Sequence, residues 1–426
     1  MSRRWIVLAL VFFGIMINYI DRGNLSIAAP SIMRDFRISP ATMGIVLSAF
    51  FWTYCVAQIP AGSIVDRLGI RRTYAGGFFL WSIASASIAL CYTASQIVGL
   101  RMVLGLAEST APLASIAFIR TNFEGEEQGL PTSIYIAGQN VGPALGALIG
   151  AILLSRYGWR MMFVVTGLVA LIWLPCWLIA APRDRGRVVR QLEKPVHELA
   201  AAGRWTWRML LANRTFWAMS ISILLSSYYW YFILTWIPSY LILSRGFSTL
   251  GMGKVLSTAL FTMAAVNIFA GSMTDKLATR IGVFRARLWF GVLGYFGTAA
   301  ILLLLVTPSR SWVLPILTFS MCAVGIGNSN YWTISQHVPP KNMVGRTIGY
   351  LNTIAVVGGI AAPVITGRLI GPKTQFGPAI LVAGLCAVVA GVCLLAAGDR
   401  GLQQMKALLA GKGARAPEQF PKPARG

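Results

Sequence analysis

Apolar residues run through this chain in blocks of 20 or more, with apolar side chains on every face of the helix each block would form. About twelve blocks are long enough to cross a bilayer: 5–28, 42–66, 73–92, 95–119, 129–154, 159–181, 214–243, 250–275, 286–307, 311–335, 345–371 and 375–397. A soluble helix needs only one apolar stripe, so this pattern predicts an all-α polytopic membrane protein. A polar stretch at 182–213 separates six spans from six, which predicts halves at 1–181 and 214–397. The remainder, 398–426, is expected to be a polar tail, disordered beyond a short helix.

Composition agrees with that reading. Charged residues make up 12% of the chain and hydrophobic ones 56%, whereas soluble domains carry about 25% charge. The formal net charge is +24, from 37 Lys and Arg against 13 Asp and Glu. In a soluble protein this would point to nucleic acid, but here the basic residues are scattered through short loops. Placing the N-terminus in the cytoplasm puts 26 Lys and Arg inside, 8 outside and 3 within spans. That bias predicts cytoplasmic termini and explains the charge without a nucleic-acid partner. The opening segment carries Asp21-Arg22 and no small-residue cleavage site, so it is expected to be a retained first helix.

Enzyme chemistry finds no foothold. The six cysteines form no CxxC pair and no cluster with His197 or His337, so neither a disulfide framework nor a metal site is expected. Walker, zincin and nucleophile-elbow motifs are absent from the sequence. Any transport must draw on gradients, with protons as the coupling ion and no resident cofactor.

Four charges lie deep in apolar spans: Asp21 and Arg22 in the first, Arg101 and Glu108 in the fourth. A charge at the bilayer centre costs about 3 kcal/mol on insertion scales, so each needs a reason. They sum to zero, and an arriving anion would upset that balance unless a proton came with it. Arg101 and Glu108 are seven residues apart, two turns along one helix face. An arginine fork suits a carboxylate, and a desolvated acid beside it can change protonation as the arginine gains or loses a substrate. The competing reading is a static pair of salt bridges that only packs helices one and four.

After the second span comes GSIVDRLGIRR, and after the eighth a looser copy beginning Gly271-Ser272-Met273-Thr274-Asp275-Lys276. Gly62 and Gly271 are 209 residues apart at the same place in each half, the mark of a duplicated six-helix unit. The first copy resembles the loop signature of the major facilitator superfamily. Asp66 stands at a helix end, Arg67, Arg71 and Arg72 hold the loop inside, and Asp275 occupies the matching place in the second copy. These are the candidate gating residues.

Asn18-Tyr19-Ile20-Asp21-Arg22-Gly23-Asn24-Leu25 resembles the first-helix signature of the anion:cation symporter family. That family includes bacterial sugar-acid carriers and animal vesicular glutamate and sialic acid carriers. SAFFWTYCVAQIPAG, LRMVLGLAES, YIAGQNVG, YFILTWIPSYL and NSNYWTISQHVPP are similar to its members too, over roughly residues 5–397. The resemblance implies two six-helix halves around a central site in a bacterial inner membrane. It also implies monomeric, proton-coupled uptake of a small organic anion, sugar acids foremost. Carried over, it makes Asp21 and Glu108 the proton-handling acids, and Arg22 and Arg101 the groups that hold the substrate carboxylate or tune those acids. Tyr19, Tyr54 and Gln139 would add hydrogen bonds, with Ser329, Trp332 and Asn352 matching positions of the second half.

Span seven holds the aromatic run Tyr228-Tyr229-Trp230-Tyr231-Phe232, of which only one face can meet a cavity; Tyr228 or Tyr229 is the expected substrate wall. Gly142-Pro143 in span five resembles a motif of drug:proton antiporters and keeps an exporter of amphipathic compounds as the alternative. A sensor that binds without turnover is a third class, opposed by tails too short for an output domain.

Overall fold

The computed structural model describes residues 3–182, 213–338, 344–398 and 401–404. The central loop expected over 182–213 and the tail expected from 398 lie outside the described residues, apart from their edges. The first helices are α1 (Arg3–Phe36), α2 (Pro40–Leu68), α3 (Ile70–Ser87) and α4 (Ala94–Asn122). A 52-residue apolar stretch follows, Gly129–Ala180, far longer than a bilayer crossing needs. It breaks at Gly158, whose φ of 79° and ψ of 171° are not helical, so 129–157 form α5 and 159–180 form α6. The second half holds α7 (Arg214–Ser244), α8 (Thr249–Ile281), α9 (Val283–Val306), α10 (Arg310–His337), α11 (Val344–Ile370) and α12 (Gly377–Ala397). With the break at Gly158, twelve crossings result among the described residues.

Helix starts follow ordinary capping chemistry. Ser39 accepts from the Thr42 amide, Thr93 and Gln96 form a capping box, and Asn213 accepts from the amides of Thr215 and Phe216. Large apolar side chains such as Phe79, Ile179, Val306 and Phe319 are exposed, which suits lipid and not water.

The repeat seen in the sequence is also a repeat of backbone. Gly69 alone separates α2 from α3, at φ 84° and ψ 164°; Gly282 alone separates α8 from α9, at φ 93° and ψ 148°. Only glycine adopts such values at little cost. The two glycines are 213 residues apart, so the second copy inserts one extra helical turn after Asp275. That turn accounts for the looser spacing of the second motif.

Small residues bring the halves together at the end away from the N-terminus. Gly44 of α2 lies against the Pro363 carbonyl of α11, Gly367 of α11 against the Pro40 carbonyl, and Gly253 of α8 against Ala147 and Ala151 of α5. Absent side chains let backbones approach closely, the usual device of packing in lipid. Toward the end that carries the N-terminus, the facing residues Ser329, Gln336 and Thr353 are exposed. Among the described residues one hydrogen bond crosses between halves, Asn352 Nδ2 to Gln58 Oε1 at 3.5 Å. Among the described residues the molecule is therefore clamped at one end and open at the other.

Candidate functional site

The four intramembrane charges meet where α1 passes α4. Arg22 Nε donates to Glu108 Oε2 at 2.6 Å, with Glu108 fully buried and Arg22 partly so. Adjacent residues on a helix point about 100° apart, so Asp21 and Arg22 cannot share one direction. Arg22 turns toward α4 and Asp21 toward α3. The Asp21 carboxylate is buried and takes a long 3.4 Å contact from Asn24 Nδ2, with Ser85 nearby and its Oδ2 without a hydrogen-bond partner. Asn24 in turn donates to Thr166 of α6 at 2.9 Å.

Arg101 has no carboxylate partner among the described residues, although it is buried and its Nε lacks a hydrogen bond. Two salt bridges were the static alternative, and only one forms. The Arg22 guanidinium sits 4.8 Å from the Tyr19 ring centre, 4.9 Å from Phe50 and 4.7 Å from Tyr54. Arg101 lies 5.2 Å from the same Phe50 ring. Phe50 thus supports both guanidinium groups, and Tyr54, stacked on Phe50 at 5.1 Å, closes the back of the cage. The shared ring explains how two like charges stay close inside a dry bundle.

Between the halves, a cavity of about 90 Å³ is lined by Tyr19, Arg22 and Arg101 from the first half and by Trp230, Tyr231 and Leu234 from the second. That is room for about three waters. Its chemistry is a cationic wall facing an aromatic one.

The remaining sequence-predicted residues fall in several places. Gln139 donates to the Tyr135 hydroxyl at 2.9 Å, one turn away on α5. Ser329 is exposed on α10, and Trp332, one turn on, packs edge to face with Tyr331 at 5.7 Å. Asn352 spends its amide on Gln58, and none of these four borders the central cavity. Tyr228, expected as a substrate wall, does not border this cavity: it is buried, and its hydroxyl pairs with Thr366 at 3.1 Å. Tyr229 is likewise committed, to Ser320. Helical rotation puts the next two residues, Trp230 and Tyr231, on the cavity instead. The Gly142-Pro143 pair packs α5 on α1, with Gly142 against Met16 and Tyr19, while Pro143 borders the cavity.

At the terminal end, Asp66 makes no ion pair among the described residues. Arg71 reaches the Leu178 carbonyl at 2.5 Å, and Trp177 donates to the Arg71 carbonyl at 3.0 Å, tying α3 to α6. Arg67 and Arg72 are exposed. In the second half, Asp275 pairs with Arg287 of α9 at 2.5 Å. Phe50, Trp230 and Tyr231 are the site residues that sequence reasoning missed. Phe50 stands four residues before Tyr54, a spacing that puts both rings on one face of α2.

The Major Facilitator Superfamily profile matches residues 11–363. Among curated relatives, the "Probable galactarate/D-glucarate transporter GarP" of Escherichia coli (strain K12) is 28% identical over 416 residues, covering 91% of this chain and 92% of that protein. The D-galactonate transporter of Escherichia coli O6:H1 is 27% identical, covering 91% and 94%. The hexuronate transporter of Bacillus subtilis (strain 168) is 25% identical, covering 90% and 92%. A solved bacterial homolog to the human lysosomal transporter Spinster, in an inward-facing and unoccupied conformation, superposes with a TM-score of 0.74 at 17% identity, covering 96% of this chain and 98% of that one. The crystal structure of a D-xylose-proton symporter gives 0.74 at 16% identity, covering 92% and 97%. Profile, relatives and fold agree: this chain belongs to the Major Facilitator Superfamily and is a multi-pass membrane transporter, not an enzyme.

Proposed function

We propose that the protein is a proton-coupled symporter that takes up a small organic anion, most readily a sugar acid, across a bacterial inner membrane. The observation that carries this reading is the unpaired Arg101 at the cavity, beside an Arg22 already held by Glu108. A carboxylate entering the cavity meets Arg101 first, because that guanidinium has no competing anion. Its second oxygen then competes with Glu108 for Arg22. Once Arg22 is shared, Glu108 is a carboxylate in a dry site with less positive charge around it, and it takes a proton. A monoanion and one proton leave the occupied site as neutral as the empty one. Asp21, one residue from Arg22 but facing α3, is the second acid of the relay.

The sugar-acid class rests on the relatives, whose names specify galactarate, glucarate, galactonate and hexuronate. Basic-residue asymmetry supports cytoplasmic termini, so the open end faces the cytoplasm and the clamped end the outside. Alternating access then requires the contacts at Gly44, Gly253 and Gly367 to part while the terminal ends close. Asp66 is free to take a new partner as they do. Each half contributes one wall, so a monomer suffices.

The test is uptake into proteoliposomes under an inward proton gradient, from a mixture of organic acids read by mass spectrometry. Enrichment of one acid, lost when the gradient is collapsed, is the expected result. Full proton-driven uptake by Glu108→Gln would overturn the assignment of Glu108. Export of amphipathic compounds with no acid enriched would overturn the direction and the substrate class.

A further inference from the structure

The aromatic run on α7 divides by what its polar atoms are already doing. The hydroxyls of Tyr228 and Tyr229 are spent inside the second half, on Thr366 and Ser320. The Thr235 hydroxyl is spent on the Tyr231 carbonyl at 2.6 Å. Trp230 and Tyr231 differ. Both border the cavity and are only partly buried, and among the described residues neither Trp230 Nε1 nor the Tyr231 hydroxyl has a hydrogen-bond partner. Neither atom is fully buried, unlike the unpartnered polar atoms elsewhere in the bundle.

The Tyr231 ring is held in place by two neighbours. It meets Phe51 of the first half edge to face at 4.7 Å and 71°. Gly359 of α11 leaves the space the ring occupies, since a methyl there would lie 2.9 Å from Tyr231 Cε2 and 3.2 Å from Phe51 Cδ1. The hydroxyl is therefore presented by a ring that packing has already oriented. Trp230, in contrast, stacks on no other ring among the described residues and borders the cavity.

We infer that Trp230 and Tyr231 are specificity-determining residues that read oxygen atoms on the substrate away from its carboxylate. An indole N–H only donates, so Trp230 calls for an acceptor oxygen, and the Tyr231 hydroxyl either donates or accepts. Arg22 and Arg101 on the opposite wall take the carboxylate, so a ligand satisfying both walls is a hydroxylated carboxylate. A hydrocarbon acid would leave both donors unpaired as the halves close over it, which is how a polar site rejects an analogue lacking a hydroxyl. The inference rests on the anion-carrier reading and sharpens its substrate class.

The test compares gluconate with hexanoate, carboxylates of equal chain length with and without hydroxyls. Half-saturation for gluconate uptake and inhibition by hexanoate are measured in the same proteoliposomes. Trp230→Phe and Tyr231→Phe keep a ring and remove one polar group each. Each is expected to raise the gluconate half-saturation about five- to tenfold, the scale of one lost hydrogen bond, with hexanoate inhibition unchanged. Unchanged hexanoate inhibition also reports an intact carboxylate site. An unaltered gluconate-to-hexanoate ratio overturns the inference, and so does equal weakening of both acids, which would mean that the rings only pack. Wild-type protein that handles neither acid nor any other carboxylate would overturn the carrier reading itself, a separate outcome from a failed ratio.

Discussion

Arg22 Nε lies 2.6 Å from Glu108 Oε2, while Arg101, seven residues before Glu108 on the same helix, faces the cavity with no carboxylate of its own. The bundle thus holds one cation with a carboxylate partner and one without around a single Phe50 ring. An unpaired buried guanidinium is unstable unless something completes it. An arriving carboxylate does so.

Arg101→Ala should therefore weaken anion affinity more than any other single change in the cavity. A bidentate, charge-assisted contact contributes about 1.5–3 kcal/mol, so substrate half-saturation should rise at least tenfold. Arg101→Lys should recover only part of it, because a point charge lacks the planar fork. Substrate-dependent thermal stabilisation of the purified variants measures this without requiring turnover.

Glu108→Gln should leave Arg22 as a second uncompensated cation. Breaking a buried pair from one side costs about 3–5 kcal/mol, offset here by the three rings around the guanidinium. The variant should melt lower than wild type, and Arg22→Met with Glu108→Gln should recover most of the loss. Exchange of labelled for unlabelled substrate should persist in Glu108→Gln while gradient-driven uptake disappears. A double variant no more stable than Glu108→Gln alone would show that the pair does not set the stability.

Gly44→Val should force the clamped end apart. A side chain there collides with the Pro363 carbonyl of the other half, and backbone cannot yield as a flexible side chain can. Net uptake should fall by more than tenfold. A reporter cysteine at Ser329, exposed at the open end, should be labelled more slowly as the population shifts toward closure there.

Gly158→Ala tests the backbone break between α5 and α6. No atom lies within 4 Å of where its Cβ would stand, so the cost is purely conformational. At φ 79° and ψ 171° an L-residue is strained by about 1–3 kcal/mol. A lower melting temperature with unchanged substrate affinity is the expected result, measured on detergent-purified protein.

Much of the architecture was legible from one dimension. Twelve crossings, the division into six and six, and the repeated glycine-aspartate motif depend on apolar length and on local turn chemistry, which a sequence carries directly. The twelfth crossing illustrates how local that information is: the continuous helical stretch Gly129–Ala180 becomes two passes through the dihedral angles of Gly158 alone. Charges buried in apolar spans were equally visible, because nothing in lipid tolerates them without a partner or a task.

Pairing was not visible. The sequence offered salt bridges between helices one and four without saying which partners meet, and the one that forms runs from Arg22 to Glu108. Which carboxylate meets which guanidinium depends on how α1 is rotated against α4, and that rotation is set by packing such as Gly142 on Met16 and Tyr19. The same holds for α7, where Tyr228 and Tyr229 looked as fit for the cavity as Trp230 and Tyr231. A turn of 100° per residue separates a ring that packs from a ring that faces the site.

That this chain spans a membrane in two related halves and carries opposed charges in their interior could be read from the residues alone, since hydropathy, glycine turns and buried charge are properties of single segments. Which guanidinium lacks a carboxylate, and which aromatic wall faces it, emerged from the packed bundle. Those are relations between helices, set by rotation and close approach, and no segment carries them alone.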